Sequence, residues 1–304
     1  MKHEALQEYK NEVTRYKLGV DLLRRSRYID YPREVSIETQ AVCNAACSFC
    51  PYPGLERKGT KMPDELIAKI IAELGEIPSE LPFTISPFKV NDPLLDSRIF
   101  DIVGEINAKL PNVSIRMFTN GSPLSAKNIA KMAAAKRVEH LWVSLNEHEK
   151  APYEKLMAIS FDRTISNLDM LHKEMEVGNF PHKVVVSRVR DHSGKDEAFL
   201  NFVHGRYPRF GLGLIYKSAW LGQVTGLENV RLPPLIGCAR WWELSITCTG
   251  KVSFCCMDGK AEHPIGDVTE ASVLEIYNSP AYRRYREKFV TRLEGSPCLS
   301  CTHF

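Results

Sequence analysis

One fourteen-residue stretch constrains this chain more than any other: Ile37-Glu-Thr-Gln-Ala-Val-Cys43-Asn-Ala-Ala-Cys47-Ser-Phe-Cys50. Its three cysteines stand at Cys-x3-Cys-x2-Cys spacing, after a short extended run and before a long helical pattern. Three thiolates on one tight loop can hold three irons of a cubane [4Fe–4S] cluster. No fourth cysteine lies nearby, so the fourth iron keeps an open position. A structural zinc site closes four ligands around the metal, one more than this loop offers.

From Glu34 to Leu214 strand-like and helix-like patterns alternate, the mark of a parallel sheet covered by helices. Six strand runs are expected: Val35-Ser-Ile-Glu, Phe83-Thr-Ile-Ser, Val113-Ser-Ile-Arg-Met-Phe, Leu141-Trp-Val-Ser-Leu, Lys183-Val-Val-Val-Ser and Leu212-Gly-Leu-Ile-Tyr. Helical patterns lie between them, from Pro63 through Leu74 with the proline in the first turn, from Ser125 through Ala134, and from Phe161 through Met175. Residues 1–33 form a charged, weakly amphipathic helical extension carrying Tyr9, Val13, Tyr16 and Leu18.

A net charge of +3 is too small to argue for nucleic acid or an anionic membrane as a partner. No apolar run approaches the ~18 residues that span a bilayer, and the N-terminus lacks a signal-peptide pattern. A reducing cytoplasm is the expected location. There, nine cysteines serve as metal ligands or reactive thiols rather than disulfides.

The cysteine loop resembles the signature of radical S-adenosylmethionine (SAM) enzymes, down to the aromatic Phe49 before the last cysteine. The resemblance implies an α/β fold, a partial (β/α)6 TIM-like barrel with its chemistry at the C-terminal strand ends. It implies that SAM chelates the open iron through its amino and carboxylate groups. Reduction by a flavodoxin- or ferredoxin-type donor then yields methionine and a 5′-deoxyadenosyl radical. Members usually carry a glycine-rich turn with a glutamate after the second strand; here the segment reads Val90-Asn91-Asp92-Pro93-Leu94-Leu95-Asp96, so Asp92 takes that place. The strand endings Phe118-Thr119-Asn120-Gly121 and Val143-Ser144-Leu145-Asn146 put Thr119, Asn120, Ser144 and Asn146 near the nucleoside, ribose or carboxylate. Arg188 or Arg190 would pair with the SAM carboxylate.

From about Leu232 the character changes, with Pro233 and Pro234 breaking the chain and six of the nine cysteines in the last 67 residues. The pattern Gly237-Cys238, Cys248-Thr-Gly250, Cys255-Cys256, Pro297-Cys298-Leu-Ser-Cys301 resembles the extension called SPASM or, in shorter form, twitch. That resemblance implies a β-hairpin and helix holding auxiliary [4Fe–4S] iron. Because the chain given ends at Phe304, one auxiliary cluster is expected, on Cys238, one of Cys255 and Cys256, Cys298 and Cys301. A zinc ribbon is the competing reading of the tail. The expected divisions are 1–33, a barrel over 34–231 and the iron–sulfur domain over 232–304.

Seven thiols serve two clusters and two remain: Cys248, at the expected hairpin tip, and the unused member of the 255/256 pair. A thiol is a good hydrogen-atom donor to a carbon radical. Cys248 is therefore the candidate catalytic group of an epimerase that inverts a carbon of a small sugar- or cyclitol-containing molecule. If the substrate radical instead loses a proton and an electron, the outcome is oxidation of a secondary alcohol, as in the aminoglycoside-pathway dehydrogenases that the twitch pattern also resembles. The opening 33 residues are too short for a peptide-recognition module, which sets a peptide-modifying enzyme behind these two readings.

Overall fold

The protein is described by a computed structural model over residues 2–225 and 235–301. Its elements, in chain order, are α1 (Lys2–Arg24), β1 (Glu34–Ile37), α2 (Asp64–Leu74), β2 (Phe83–Ser86), α3 (Ile99–Lys109), β3 (Val113–Thr119), α4 (Ala126–Ala134), β4 (Val138–Ser144), α5 (Lys150–Met157), α6 (Phe161–Glu176), β5 (Lys183–Val189), α7 (Gly194–Arg206) and β6 (Gly211–Ile215). There follow β7 (Glu243–Ile246), β8 (Lys251–Ser253), β9 (Pro264–Asp267), α8 (Val273–Tyr277) and α9 (Pro280–Glu287).

All six expected strands form, and they lie in one parallel sheet in the order β6-β5-β4-β3-β2-β1, as βα units demand. The sheet then continues as β7-β8-β9. β7 is parallel to β1, with Glu34 opposite Glu243 and Ile37 opposite Ile246; β8 is antiparallel to β7, and β9 to β8. The barrel and the C-terminal hairpin therefore share one nine-stranded sheet. β9 has no counterpart among the expected strands, because Pro264-Ile-Gly-Asp is too short and too polar to read as one. The expected boundary near residue 232 and the Pro233-Pro234 break fall outside the described residues.

Helix ends follow local chemistry. Ser125, Ser160 and Ser193 cap α4, α6 and α7 with their side-chain oxygens. Pro63 sits just outside α2 rather than in its first turn, where its missing N–H costs nothing.

The sheet's two faces differ in kind. Val35, Ile37, Ile85, Ile115, Met117, Leu141, Val143, Val184 and Val186 point outward and are buried beneath helices. α2 contributes Ile67, Ile70, Ile71 and Leu74 to that layer, and α3 contributes Ile99, Ile102, Val103 and Ile106. Each such side chain is worth about 1.5–3 kcal/mol. The inner face alternates with it and is polar and aromatic. Ser114, Arg116 and Phe118 on β3, and His140, Trp142 and Ser144 on β4, are all only half-buried. A parallel sheet packed on both sides reads as continuous aliphatic runs. The alternation here marks an interior that the chain itself does not fill. Gly213 belongs to this surface: a Cβ there would lie 3.1 Å from the Trp142 ring, so the indole occupies the space a side chain would need.

Among the described residues no helix is long and apolar enough to cross a membrane.

Candidate active site

The loop after β1 brings three thiols together. Cys43, Cys47 and Cys50 are half-buried, and none of the nine cysteines forms a disulfide. Burial pushes Cys43 up to about 11 and Cys50 up to about 12. Cys47 is raised as well, first by burial and then by the charges of Cys50 and Cys43. Three thiols that resist losing their protons side by side are a site that gains most from a cation, since iron displaces those protons. The loop is tied on both sides. Asn120 Nδ2 donates to Asn44 Oδ1 at 2.8 Å, and Asn44 Nδ2 to Ser122 Oγ at 2.7 Å. Trp220 Nε1 donates to the Phe49 carbonyl at 2.9 Å.

The residues expected to touch SAM separate into two groups. Thr119 and Asn120 stand beside the loop. Asp92 stands there too, but its carboxylate is fully engaged: Oδ1 accepts from the Leu94 amide at 3.1 Å, and Oδ2 accepts from Thr119 Oγ1 and the Asn120 amide, both at 2.8 Å. Burial lifts Asp92 to about 6 against those three donors. Asn146 has a left-handed backbone (φ 65°), and its side chain accepts from the Val189 amide and donates to Met157 Sδ. Ser144 ends β4, half-buried. Arg188 turns away from the interior: it donates to Asp196 Oδ1 at 2.9 Å, the Asn146 carbonyl at 2.6 Å and Glu147 at 3.2 Å, fastening β5 to α7. Arg190 lies over the Tyr216 ring.

Sequence reasoning missed Gln40 and Asn91. Gln40 Nε2 and Asn91 Nδ2 are buried without a hydrogen-bond partner among the described residues. Asn91 neighbours Asp92, whose amide donates to the Val42 carbonyl of the cysteine loop. Unmet donors beside three iron-competent thiols suit a carboxylate- and hydroxyl-rich cofactor such as SAM. Nothing in the sequence separates these two amides from others; only their burial does.

At the other end, Cys238, Cys255, Cys298 and Cys301 line one cavity together with Trp241 and Arg292. Cys255 rises well above its ordinary value, by burial and then by the charges of Cys256, Cys238, Cys301 and Cys298. Among the described residues no three metal-binding side chains converge closely enough for a single ion. Four thiols around one cavity supply the four ligands that a cubane cluster takes. Trp241 Nε1 donates to Cys298 Sγ at 3.4 Å, and Tyr16 of α1 approaches Cys238 Sγ at 3.6 Å while accepting from the Ala239 amide at 2.9 Å.

The two remaining thiols have different surroundings. Cys248 is 1 % exposed. Its amide donates to Glu38 Oε2 at 3.2 Å, and Arg57 grips the same carboxylate through Nε at 2.6 Å and Nη2 at 2.9 Å. Burial and then Glu38 push the Cys248 thiol up to about 12. Cys256 is half-buried and is pushed up to about 11 by burial; Arg240 opposes that shift, Glu243 adds to it, and Lys89 and Glu34 act more weakly. Cys256 is thus beside the charged groups of the barrel interior, while its neighbour Cys255 is beside the other three cysteines.

Comparison with known proteins gives a matching picture. The family model for the radical SAM superfamily matches residues 37–186, and that for SPASM, an iron–sulfur cluster-binding domain, matches residues 238–302. No curated protein is similar enough in sequence to match. Among solved structures, BtrN in complex with AdoMet and 2-DOIA is 16% identical, with a TM-score of 0.61 over 89% of this chain and 93% of that one. Streptococcus suis SuiB bound to precursor peptide SuiA is 16% identical, with a TM-score of 0.67 over 99% and 75%. The anSMEcpe protein with bound AdoMet and Cp18Cys peptide is 10% identical, with a TM-score of 0.60 over 88% and 87%. At these identities the likeness is one of fold.

Proposed function

Because the chain belongs to the radical SAM superfamily and carries an iron–sulfur cluster-binding domain behind its barrel, we propose that it is an epimerase of a small sugar- or cyclitol-containing molecule. Cys43, Cys47 and Cys50 would hold the SAM-binding [4Fe–4S] cluster. Cys238, Cys255, Cys298 and Cys301 would hold the auxiliary one. With SAM bound, that first cluster would supply the hydrogen-abstracting radical chemistry of the family.

The chain's own contribution is the return of hydrogen. The observation that carries this reading is a thiol left over from both ligand sets and bordering the polar interior. Cys248 was the expectation from sequence. Its enclosure between Glu38 and the hairpin turn makes it the weaker of the two, and Cys256 the stronger. The S–H bond of that cysteine breaks and a C–H bond forms on the face of the carbon opposite the abstraction. The sulfur is then restored by one electron from a flavodoxin- or ferredoxin-type donor and one proton from water. Residues of the inner face exclude bulk water and position the ring.

The test is turnover in D2O with a panel of sugars and cyclitols, acidic members and aminoglycosides included. An epimerase places one deuterium at the inverted carbon, because a thiol proton exchanges with solvent. Cys256→Ala then abolishes inversion while SAM cleavage continues, and Cys248→Ala does not. A ketone product without deuterium, indifferent to both variants, would replace this reading with a secondary-alcohol dehydrogenase. That second reading draws support from the hydrogen bonds and the Arg292 charge directed at the auxiliary thiols, which favour an electron-accepting cluster.

A further inference from the structure

Among the described residues, three carboxylates of the barrel interior have guanidinium partners. Glu38 is held by Arg57 at 2.6 Å, Glu34 by Arg116 at 3.0 Å, and Glu243 by Arg33 at 2.6 Å and Arg240 at 2.8 Å. Lys89, on the loop after β2, is 3 % exposed. Its Nζ donates to Ser245 Oγ at 2.9 Å and Ser253 Oγ at 2.6 Å, and no carboxylate of the described residues comes within ion-pair distance. An ammonium has three N–H donors, and two hydroxyls use two of them. A buried ammonium without a counter-charge is costly; burial indeed lowers the pKa of Lys89, against the pull of Glu38, Cys256 and Asp258.

Lys89 also has a consistent setting. Ser245 lies opposite Ser36 in the sheet and Ser36 opposite Ser86, so the three strands β7, β1 and β2 present hydroxyls to the same inner face. Across that face stands an aromatic wall. Phe88 stacks on Phe118 with centroids 4.8 Å apart, Phe118 meets Trp142 at 6.3 Å, and Trp142 Nε1 donates to Ser187 Oγ at 2.7 Å. An aromatic face accepts the C–H side of a sugar or cyclitol ring, and a few placed polar groups fix its orientation.

We infer that Lys89 anchors an anionic oxygen, a carboxylate or a phosphate, on a ring substrate lying against the Phe88–Phe118–Trp142 wall. This rests on the reading that the substrate occupies the barrel interior, and it narrows the substrate class to acidic polyols. Lys89 holds the ring in place; it exchanges no hydrogen with it.

The test is equilibrium dialysis of the fully loaded enzyme with SAM, without turnover, so it fails or succeeds apart from the epimerase experiment. The probes are D-glucuronate, glucose 6-phosphate and neutral D-glucose. Wild type is expected to bind one of the two anions at least about tenfold more tightly than glucose, and whichever anion wins identifies the headgroup. Lys89→Met should bring that anion to the level of glucose, with iron content and SAM affinity unchanged. Ser253→Ala, a milder change, should weaken anion binding several-fold and leave glucose unaffected. Equal binding of all three probes by wild type overturns the inference without any variant. So does anion binding unchanged in Lys89→Met, including the case in which that variant shifts only the potential of the auxiliary cluster.

Discussion

Asp92 carries a linkage that can be measured. Its carboxyl is buried and titrates at about 6 rather than the ordinary 3.8, so the native state holds a proton that the unfolded chain has released. A raised folded pKa contributes stability below the unfolded value, and that contribution is lost as pH rises through the folded one. Asp92 therefore favours the native state near pH 4 and loses about 3 kcal/mol of that advantage by about pH 7. Denaturant melts of the loaded protein across this range should show that slope in wild type and lack it in Asp92→Asn. The asparagine should also melt earlier by about 1–3 kcal/mol, because its amide nitrogen faces the Thr119 hydroxyl and Asn120 amide donors. Asp92 was expected beside SAM from its position after the second strand. Position is legible in a sequence; the three hydrogen bonds that engage both of its oxygens are not.

At the scale of elements, the cysteine loop and the tail should behave as separable metal centres. Replacing Cys43, Cys47 and Cys50 together with alanine should abolish reductive SAM cleavage and leave about four irons per chain. Iron analysis and product chromatography read this directly. Cys298→Ala should remove about half the iron and loosen the tail, since so small a unit has little core without its cluster. The N-terminal helix joins the second centre. Tyr16 reaches Cys238, and Arg24 donates to the Phe289 carbonyl. Tyr16→Phe should therefore lower the midpoint potential of the auxiliary cluster in an EPR redox titration, since a hydrogen bond to a ligating sulfur favours the reduced form. From sequence α1 was only a charged extension. Its weak apolar stripe carries no sign that one tyrosine lies beside a cysteine 222 positions away. The six barrel strands, by contrast, were legible because aliphatic residues recur every second position along them.

At the scale of the whole molecule, the β1–β7 ladder makes barrel and tail one body. Removing residues 232–304 would expose β1 as an open edge and strip Glu243 from Arg33. Unpaired parallel edges recruit other chains. The truncated barrel should accumulate as aggregates on expression, visible by size-exclusion chromatography, and not as a monomer with four irons. The ladder was invisible in the sequence for a plain reason. A strand's pattern reports its two faces and says nothing about its lateral neighbour, here Glu243 opposite Glu34 far down the chain. Lys89 escaped notice likewise, since a lysine in a loop ordinarily reads as solvated and only the hairpin's serines make it interior.

That ladder also sets an order of events during synthesis. β1 and the cysteine loop immediately behind it leave the ribosome well before β7, the strand on the far side of β1. Closing so long a loop is slow compared with pairing sequential strands. Until β7 arrives the nascent barrel has one side open, and the three thiols follow directly on that open strand. Stable iron loading of the loop is therefore expected only once the hairpin has arrived. A cell that makes the chain faster than it matures would collect apoprotein with an exposed strand and unprotected cysteines, rather than half-loaded enzyme.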